Sequence, residues 1–397
     1  MAKRILSFVK KEIVFVAAWV LAIVSAFFVP PDATYLTYID LRTLCILWSL
    51  MVIVAGLKSG GVFDFIGHAL LKKTHNISAL IFVLVFLCFF LSMFITNDVA
   101  LITFVPFAIF VLKECEKEEL LILVIVLQTL AANLGSILTP IGNPQNLYLY
   151  SLSGMRFLDM CKLMLPYTVL SAAMLVVSVF LIKGKSKKAS RLSLKLSTEQ
   201  VSDLAAKQMP DLNAKQVQSQ NLLGYKNILF FALFVVAILA VLRLFEYWWL
   251  AAAVLIVTLI IDRKRLLSAD YILLFTFIGF FIFTGNIARL PVLQTVLTNI
   301  VGGHEVLSGV ISSQVISNVP AALLLSGFTT TYNALIIGVN LGGLGTPIAS
   351  MASLISLKFY SESYPNKKLS YLKIFTLLNV LYLAVLLIFY FLLGKSF

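Results

Sequence analysis

Apolar residues run along this chain in blocks of roughly bilayer length, broken by short polar connections. Spans or half-spans fall at about 12–29, 42–57, 77–95, 98–112, 120–138 and 161–182. A second group falls at about 228–243, 248–261, 270–287, 305–316, 319–331, 333–346 and 371–394. A helix needs roughly 17–25 apolar residues to cross the hydrocarbon core, so the pattern predicts an all-α polytopic membrane protein. Between the groups lies 183–226, rich in Lys, Ser and Gln and free of aromatics until Tyr225. That composition suits a polar linker.

Several blocks are interrupted where lipid tails would sit. "NLGSILTPIGNPQN" (133–146) and "NLGGLGTPIAS" (340–350) share one frame: Asn-Leu-Gly, three residues, then Thr-Pro-Ile. "ITNDVALITFVPF" (95–107) and "ISNVPAALLLSGF" (316–328) match more loosely, in the same order in each half. One Thr-Pro pair alone reads as a kink. Four breaks, paired in order and chemistry, point to a site.

A break strands backbone N–H and C=O groups that lipid cannot satisfy, so it must be buried in protein or line a cavity. Ser, Thr and Asn cap the N–H groups of a restarting helix, and proline suits its first turn. Thr139-Pro140, Asn143-Pro144, Thr346-Pro347 and Asn318 before Pro320 fit this reading. Helix N-termini deep in the membrane attract an anion. Carbonyls and Asn side chains at the breaks suit a cation such as sodium.

Charge sets the orientation. Lys3, Arg4, Lys10 and Lys11 put the N-terminus inside, and the 30–40 loop, lacking Lys and Arg, goes outside. Lys58, Lys72, Lys73, Lys113, Lys117, the linker, "DRKR" (262–265), Lys358, Lys367 and Lys368 fall inside, which leaves the C-terminus outside. The first half crosses an even number of times, and one unpaired span, 228–243, follows. The halves therefore run in opposite directions. Residues 1–182 and 227–397 are expected to be inverted-topology repeats, as in secondary transporters. The run at 12–29 reads as a retained span, because it is too long for a signal-peptide core.

The net charge of +13 lies mostly at span ends and interleaves with no aromatic face, which excludes nucleic acid as a partner. The partners expected are a small anionic solute and the lipid bilayer. Cys45, Cys88, Cys115 and Cys161 have no metal-ligand spacing. No full phosphate-loop motif is present, which argues against an ATP-driven pump. No acid–base pair or metal cluster marks the spans, which argues against an enzyme. No cofactor is expected beyond a coupling sodium ion or proton.

Asp98 stands out, since an acid in an apolar run usually faces a cavity or a partner. It reads as a sodium ligand or proton carrier, and also as the N-cap of a helix starting near Val99. "GGVFDFIGHALLKK", with Asp64 and His68, reads as an amphipathic interfacial helix. Arg289 reads as snorkelling and Asn286 as a neighbour of the site. His75 and His304 read as loop residues.

The residues "TND" (96–98), "GNPQN" (142–146), "ISNVPAA" (316–322) and the paired Asn-Leu-Gly…Thr-Pro-Ile frames resemble the ion transporter superfamily. Its members include divalent-anion:sodium symporters, citrate–metal transporters, arsenite permeases and sodium/proton antiporters. The resemblance implies re-entrant hairpins at 77–112 and 305–331 and discontinuous transmembrane helices at 120–158 and 333–357. It also implies elevator motion and a homodimer. In the dicarboxylate branch, paired Ser-Asn-Thr motifs bind sodium and substrate. Here the tips read Thr96-Asn97-Asp98 and Ser317-Asn318-Val319, and the first is closer to the arsenite permease and antiporter branches. Expected site residues are Thr96, Asn97, Asp98, Thr139, Pro140, Gly142, Asn143, Gln145, Ser317, Asn318, Pro320, Thr346 and Pro347. Asn97, Asp98 and Asn318 are the candidate sodium ligands. The expected function is secondary transport of a di- or tricarboxylate or other oxyanion, coupled to sodium or protons. Arsenite or antimonite efflux and sodium/proton exchange are the alternatives.

Overall fold

The computed structural model describes residues 12–71, 74, 76–185 and 224–393. Most of the linker, His75 and the basic N-terminal residues lie outside this set. The described residues form helices and connections, with no strand among them. The first half holds α1 (Ile13–Phe28), α2 (Leu41–Ser59), α3 (Val62–Leu71), α4 (Ile77–Ile95), α5 (Asn97–Glu114), α6 (Leu121–Gly135), α7 (Pro144–Ser153) and α8 (Phe157–Lys185). The second holds α9 (Tyr225–Val241), α10 (Tyr247–Asp262), α11 (Tyr271–Ala288), α12 (Pro291–Val301), α13 (Glu305–Ile316), α14 (Asn318–Leu325), α15 (Tyr332–Gly342), α16 (Met351–Ser363) and α17 (Lys368–Leu392). Six of the described helices are long and apolar enough to cross a membrane. The protein is an all-α polytopic membrane protein.

Local chemistry sets the helix starts. Asp40 accepts from Thr43 N at 3.0 Å to open α2, and Asp270 accepts from Leu273 N at 2.9 Å to open α11. Asn76 caps α4 through Ala79 N at 2.8 Å. Each satisfies a donor that has no partner inside its helix.

Burial separates centre from periphery. In the most apolar stretch of the span Glu118–Leu138, containing α6, 89% is buried, against 22% in that of Pro365–Leu392, containing α17. α6 packs on α4, α5 and α16, and α15 packs on α13. α1 lies along α11, while α9 and α10 lie on α2.

Two helix pairs are hairpins. Gln128 on α6 donates to Leu84 O at 3.3 Å and to Phe104 O at 3.2 Å. These carbonyls lie on opposite sides of Thr96, so α4 and α5 run side by side. In the second half Thr329 Oγ1 donates to Glu305 Oε1 at 2.9 Å, tying the end of the α14 leg to the start of α13.

Two further polar residues have defined partners. Arg289, just past the end of α11, is paired and partly exposed. It donates to Asp32 Oδ2 at 2.8 Å, Thr34 Oγ1 at 3.0 Å and Tyr38 OH at 3.2 Å, tying α11 to the loop before α2. Asn286 is bonded to Ser25 Oγ at 3.0 Å and Tyr35 OH at 2.8 Å, which fixes it against α1 and not at a hairpin tip. Hydrogen bonds from Thr34 and then Arg289 hold the Asp32 carboxyl below its ordinary value. The folded state thus binds that proton less tightly than the unfolded chain. The stabilisation is complete above the ordinary carboxylate range and fades as pH falls through the lowered value. Arg289→Gln is expected to lower the thermal midpoint slightly at pH 7, with the difference from the unsubstituted protein shrinking toward pH 3. An unchanged midpoint at pH 7 would show that solvent screens the pair completely.

Candidate functional site

Each hairpin tip is one residue in a rare backbone state. Thr96 has φ 72° and ψ 146°, and Ser317 has φ 74° and ψ 156°. A side chain there costs on the order of 1–3 kcal/mol and persists only where surrounding structure fixes it. The turn is so tight that α5 and α14 begin at the very next residue, Asn97 and Asn318. Thr96 and Ser317 therefore hold the N-cap positions. Asp98 and Asn318, expected as caps, lie inside the first turn, with Pro320 two residues further along.

The first break begins where α6 ends at Gly135. One tight turn, Ser136–Leu138, is followed by extended backbone at Thr139, and α7 restarts at Pro144. Asn143 caps α7 by accepting from Asn146 N at 2.9 Å. Thr139 was expected to cap a helix entered through Pro140, but no helix starts there. Instead its hydroxyl donates to Met93 O and accepts from Gly142 N, which straps the break to α4. Gly142 has no room for a side chain, since a Cβ would lie 2.1 Å from Ser136 O. Its own carbonyl accepts from Asn97 N at 3.1 Å. The far end of α7 is also held, because Arg243 donates to Tyr150 O at 3.3 Å and Gly154 O at 3.2 Å. A cation at a helix C-terminus complements its dipole.

The second break follows α15. Thr346 and Pro347 open a single turn, Pro347–Ala349, and α16 then begins at Met351 behind Ser350. Thr346 thus heads that turn, and Ser350 occupies the N-cap position of the half-helix. Thr346 Oγ1 donates to Gln314 O at 3.4 Å. Met93 and Gln314 each lie three residues before their tip, so one contact recurs in both halves. Gln314 also donates to Gly342 O and Leu344 O, each at 2.9 Å, and accepts from Thr346 N at 2.9 Å. Ser317 Oγ donates to Ala349 O at 3.4 Å, so each tip touches the carbonyl just ahead of its own restart.

The breaks meet across the halves. Asn143 Nδ2 donates to Asn340 Oδ1 at 3.3 Å, and Ser350 Oγ donates to Asn133 Oδ1 at 3.0 Å. Asn133 and Asn340 are the asparagines of the two Asn-Leu-Gly frames, and Asn143 and Ser350 are the two restart caps. Asn340 Nδ2 also donates to Asn146 Oδ1 at 2.6 Å, and Asn97 Nδ2 donates to Asn133 Oδ1 at 3.1 Å. Breaks and first tip thus form one buried polar network. Asn318 lies against Gly343, where its Nδ2 would be 2.8 Å from an added Cβ. Asp98 Oδ1 is buried with no hydrogen-bond partner, as is Gln145 Oε1 at the start of α7. A buried polar atom without a partner is rare and calls for a functional account.

Sequence reasoning missed Asn133, Asn146, Gln314, Asn340 and Ser350. The repeated Asn-Leu-Gly frame was the available signal for Asn133 and Asn340. No comparable signal marked Gln314, which has Met93 as its counterpart.

Hairpin tips and helix breaks in both halves thus surround a buried polar network in an all-α polytopic membrane protein, and the proteins it is similar to are transporters and not enzymes. A model of the citrate transporter family matches residues 4–333, and the chain belongs to that family. It is 31% identical to the inner membrane protein YbiR of Escherichia coli strain K12, over 85% of each chain. It is 30% identical to the uncharacterized transporter MJ0456 of Methanocaldococcus jannaschii, over 81% of each. A 46 kDa membrane protein of Mycobacterium leprae is 25% identical over 81% of this chain and 79% of that one.

Proposed function

We propose that this chain is a secondary transporter moving a di- or tricarboxylate, or another small oxyanion, across the cytoplasmic membrane with sodium or protons. The observation that carries this is the crossed pair, Asn143 to Asn340 and Ser350 to Asn133. It holds each restart, that of α7 and that of α16, against the asparagine of the other half's break inside the protein. Two helix N-termini in a buried polar setting favour an anion. Asp98, at the first tip, is the natural carrier of the coupling cation, and Asn97 and Asn318 would supply amide ligands.

Residues 1–182 and 227–397 act as inverted repeats on this reading. Its support is the recurrence of tip conformation, Thr-to-carbonyl strap and cap-to-asparagine bond. The N-terminus is inside and the C-terminus outside, from the distribution of Lys and Arg. Elevator motion and a homodimer follow from the resemblance noted above. Membership of the citrate transporter family makes citrate the first solute to try.

The test is exchange of labelled citrate by purified protein in liposomes. The double variant Asn97→Ala, Asn318→Ala is expected to exchange no more than empty liposomes, while eluting like the unsubstituted protein in detergent. Undiminished exchange by that variant would refute the assignment of the tips.

A further inference from the structure

Two bonds recur at counterpart positions of the two breaks, the threonine strap and the cap-to-asparagine bond, and a third is made in one half only. Asn340 and Asn133 are counterparts, and so are Asn146 and Ser353, each pair 207 residues apart in the shared frame. In the second half's frame, Asn340 Nδ2 reaches Asn146 Oδ1 at 2.6 Å. In the first half's frame the corresponding contact is open. Serine carries its oxygen one bond closer to the backbone than asparagine, and Asn133 Nδ2 and Ser353 Oγ are both without a hydrogen-bond partner. Both residues are buried, at 5% and 0% exposure.

The opening is bounded on both sides. Asn133 Oδ1 accepts from Asn97 Nδ2 and Ser350 Oγ, which turns its amide nitrogen away from them. Further along the same two helices, Thr129 Oγ1 donates to Ser356 Oγ at 2.7 Å. Ser353 lies between Ser350 and Ser356 on one face of α16, and Thr129 and Asn133 lie one turn apart on α6. An N–H and an O–H are therefore left between two closed rungs, beside the first hairpin tip. The N–H can only donate and the hydroxyl can donate beside it, so one acceptor oxygen would satisfy both.

We propose that Asn133 and Ser353 form a subsite that donates to one carboxylate oxygen of the transported anion. This rests on the reading of the chain as an anion transporter. The subsite belongs to the first half's frame alone, because the second closes the same opening with Asn146. The bound solute is thereby oriented, with one carboxylate toward α6 and α16. Asn97, bonded to the same asparagine, links occupancy of the subsite to the first tip.

The test replaces Ser353 in two ways and measures labelled citrate exchange in liposomes. Ser353→Asn supplies the missing bond from within the protein, and Ser353→Ala removes a donor with little change in volume. Each is expected to raise KM about tenfold, by a larger factor than any fall in maximal rate, as loss of a hydrogen bond to a charged group implies. Ser353→Asn alone is expected to raise the thermal midpoint. An unchanged KM in both variants, with active unsubstituted protein, overturns the subsite and leaves the gap to an internal water. Should Ser353→Asn fail to fold, the KM of Ser353→Ala decides. No citrate exchange by the unsubstituted protein overturns the citrate reading itself, and the subsite with it.

Discussion

Alanine at Gly135 is expected to destabilise the protein by about 3 kcal/mol and to abolish transport, the upper range for forcing extra volume into a packed core. A Cβ there would lie 2.0 Å from Phe89 O and 2.6 Å from Ser92 Oγ. Phe89 O is helical backbone of α4, so no flexible side chain can swing aside to make room. Gly135 is the glycine of the first Asn-Leu-Gly frame, and it lets the first hairpin lie directly on α6. Gly342 serves the second hairpin in the same way, with a Cβ 2.6 Å from Ser313 Oγ and 2.9 Å from Gly309 O. Moving α4 away from α6 would also stretch the strap from Thr139 to Met93 O and the bond from Asn97 to Asn133. Thermal unfolding in detergent, with exchange measured alongside, checks this. An unshifted midpoint with normal exchange would show that the hairpin is not seated on that glycine.

Asp98→Asn is expected to abolish gradient-driven uptake while leaving the fold intact. The carboxylate sits in the first turn of α5, just past the strained residue Thr96, with Oδ1 buried and unpartnered. Its backbone N–H is already taken by Asn97 Oδ1 at 2.9 Å, so the tip keeps its shape without the acid. Asparagine keeps the size and loses the charge. A structural role would survive that exchange, whereas binding a coupling cation would not. The second tip has Val319 in the matching position, so no second acid stands in.

The helices and the breaks were legible because membrane burial forces long apolar runs, and lipid forces every interruption to be deliberate. Asn143 was legible as a cap because the helix restarts at the proline beside it. Thr139 misled, and Thr346 heads only a single turn, with one further role in common. A threonine ahead of a proline looks like a cap, but each of these bonds the hairpin leg beside it, which only the packing reveals. Asp98 misled as a cap because no sequence pattern announces a positive-φ threonine at the preceding turn. Arg289 found an acid in a distant loop, where the sequence showed only a span end. The crossed pair was out of reach, since its partners are about 200 residues apart and the sequence does not say which breaks meet. The unpartnered Asn133 Nδ2 and Ser353 Oγ could be recognised only once the bond between Asn340 and Asn146 was seen.

The most direct measurement is uptake of labelled citrate and succinate into liposomes holding the purified protein, under an inward sodium or proton gradient, with Asp98→Asn in parallel. Accumulation driven by one gradient in the unsubstituted protein, and none in the variant, is the expected result. No uptake under either gradient, or full accumulation by Asp98→Asn, would contradict a cation-coupled anion transporter centred on the first hairpin tip.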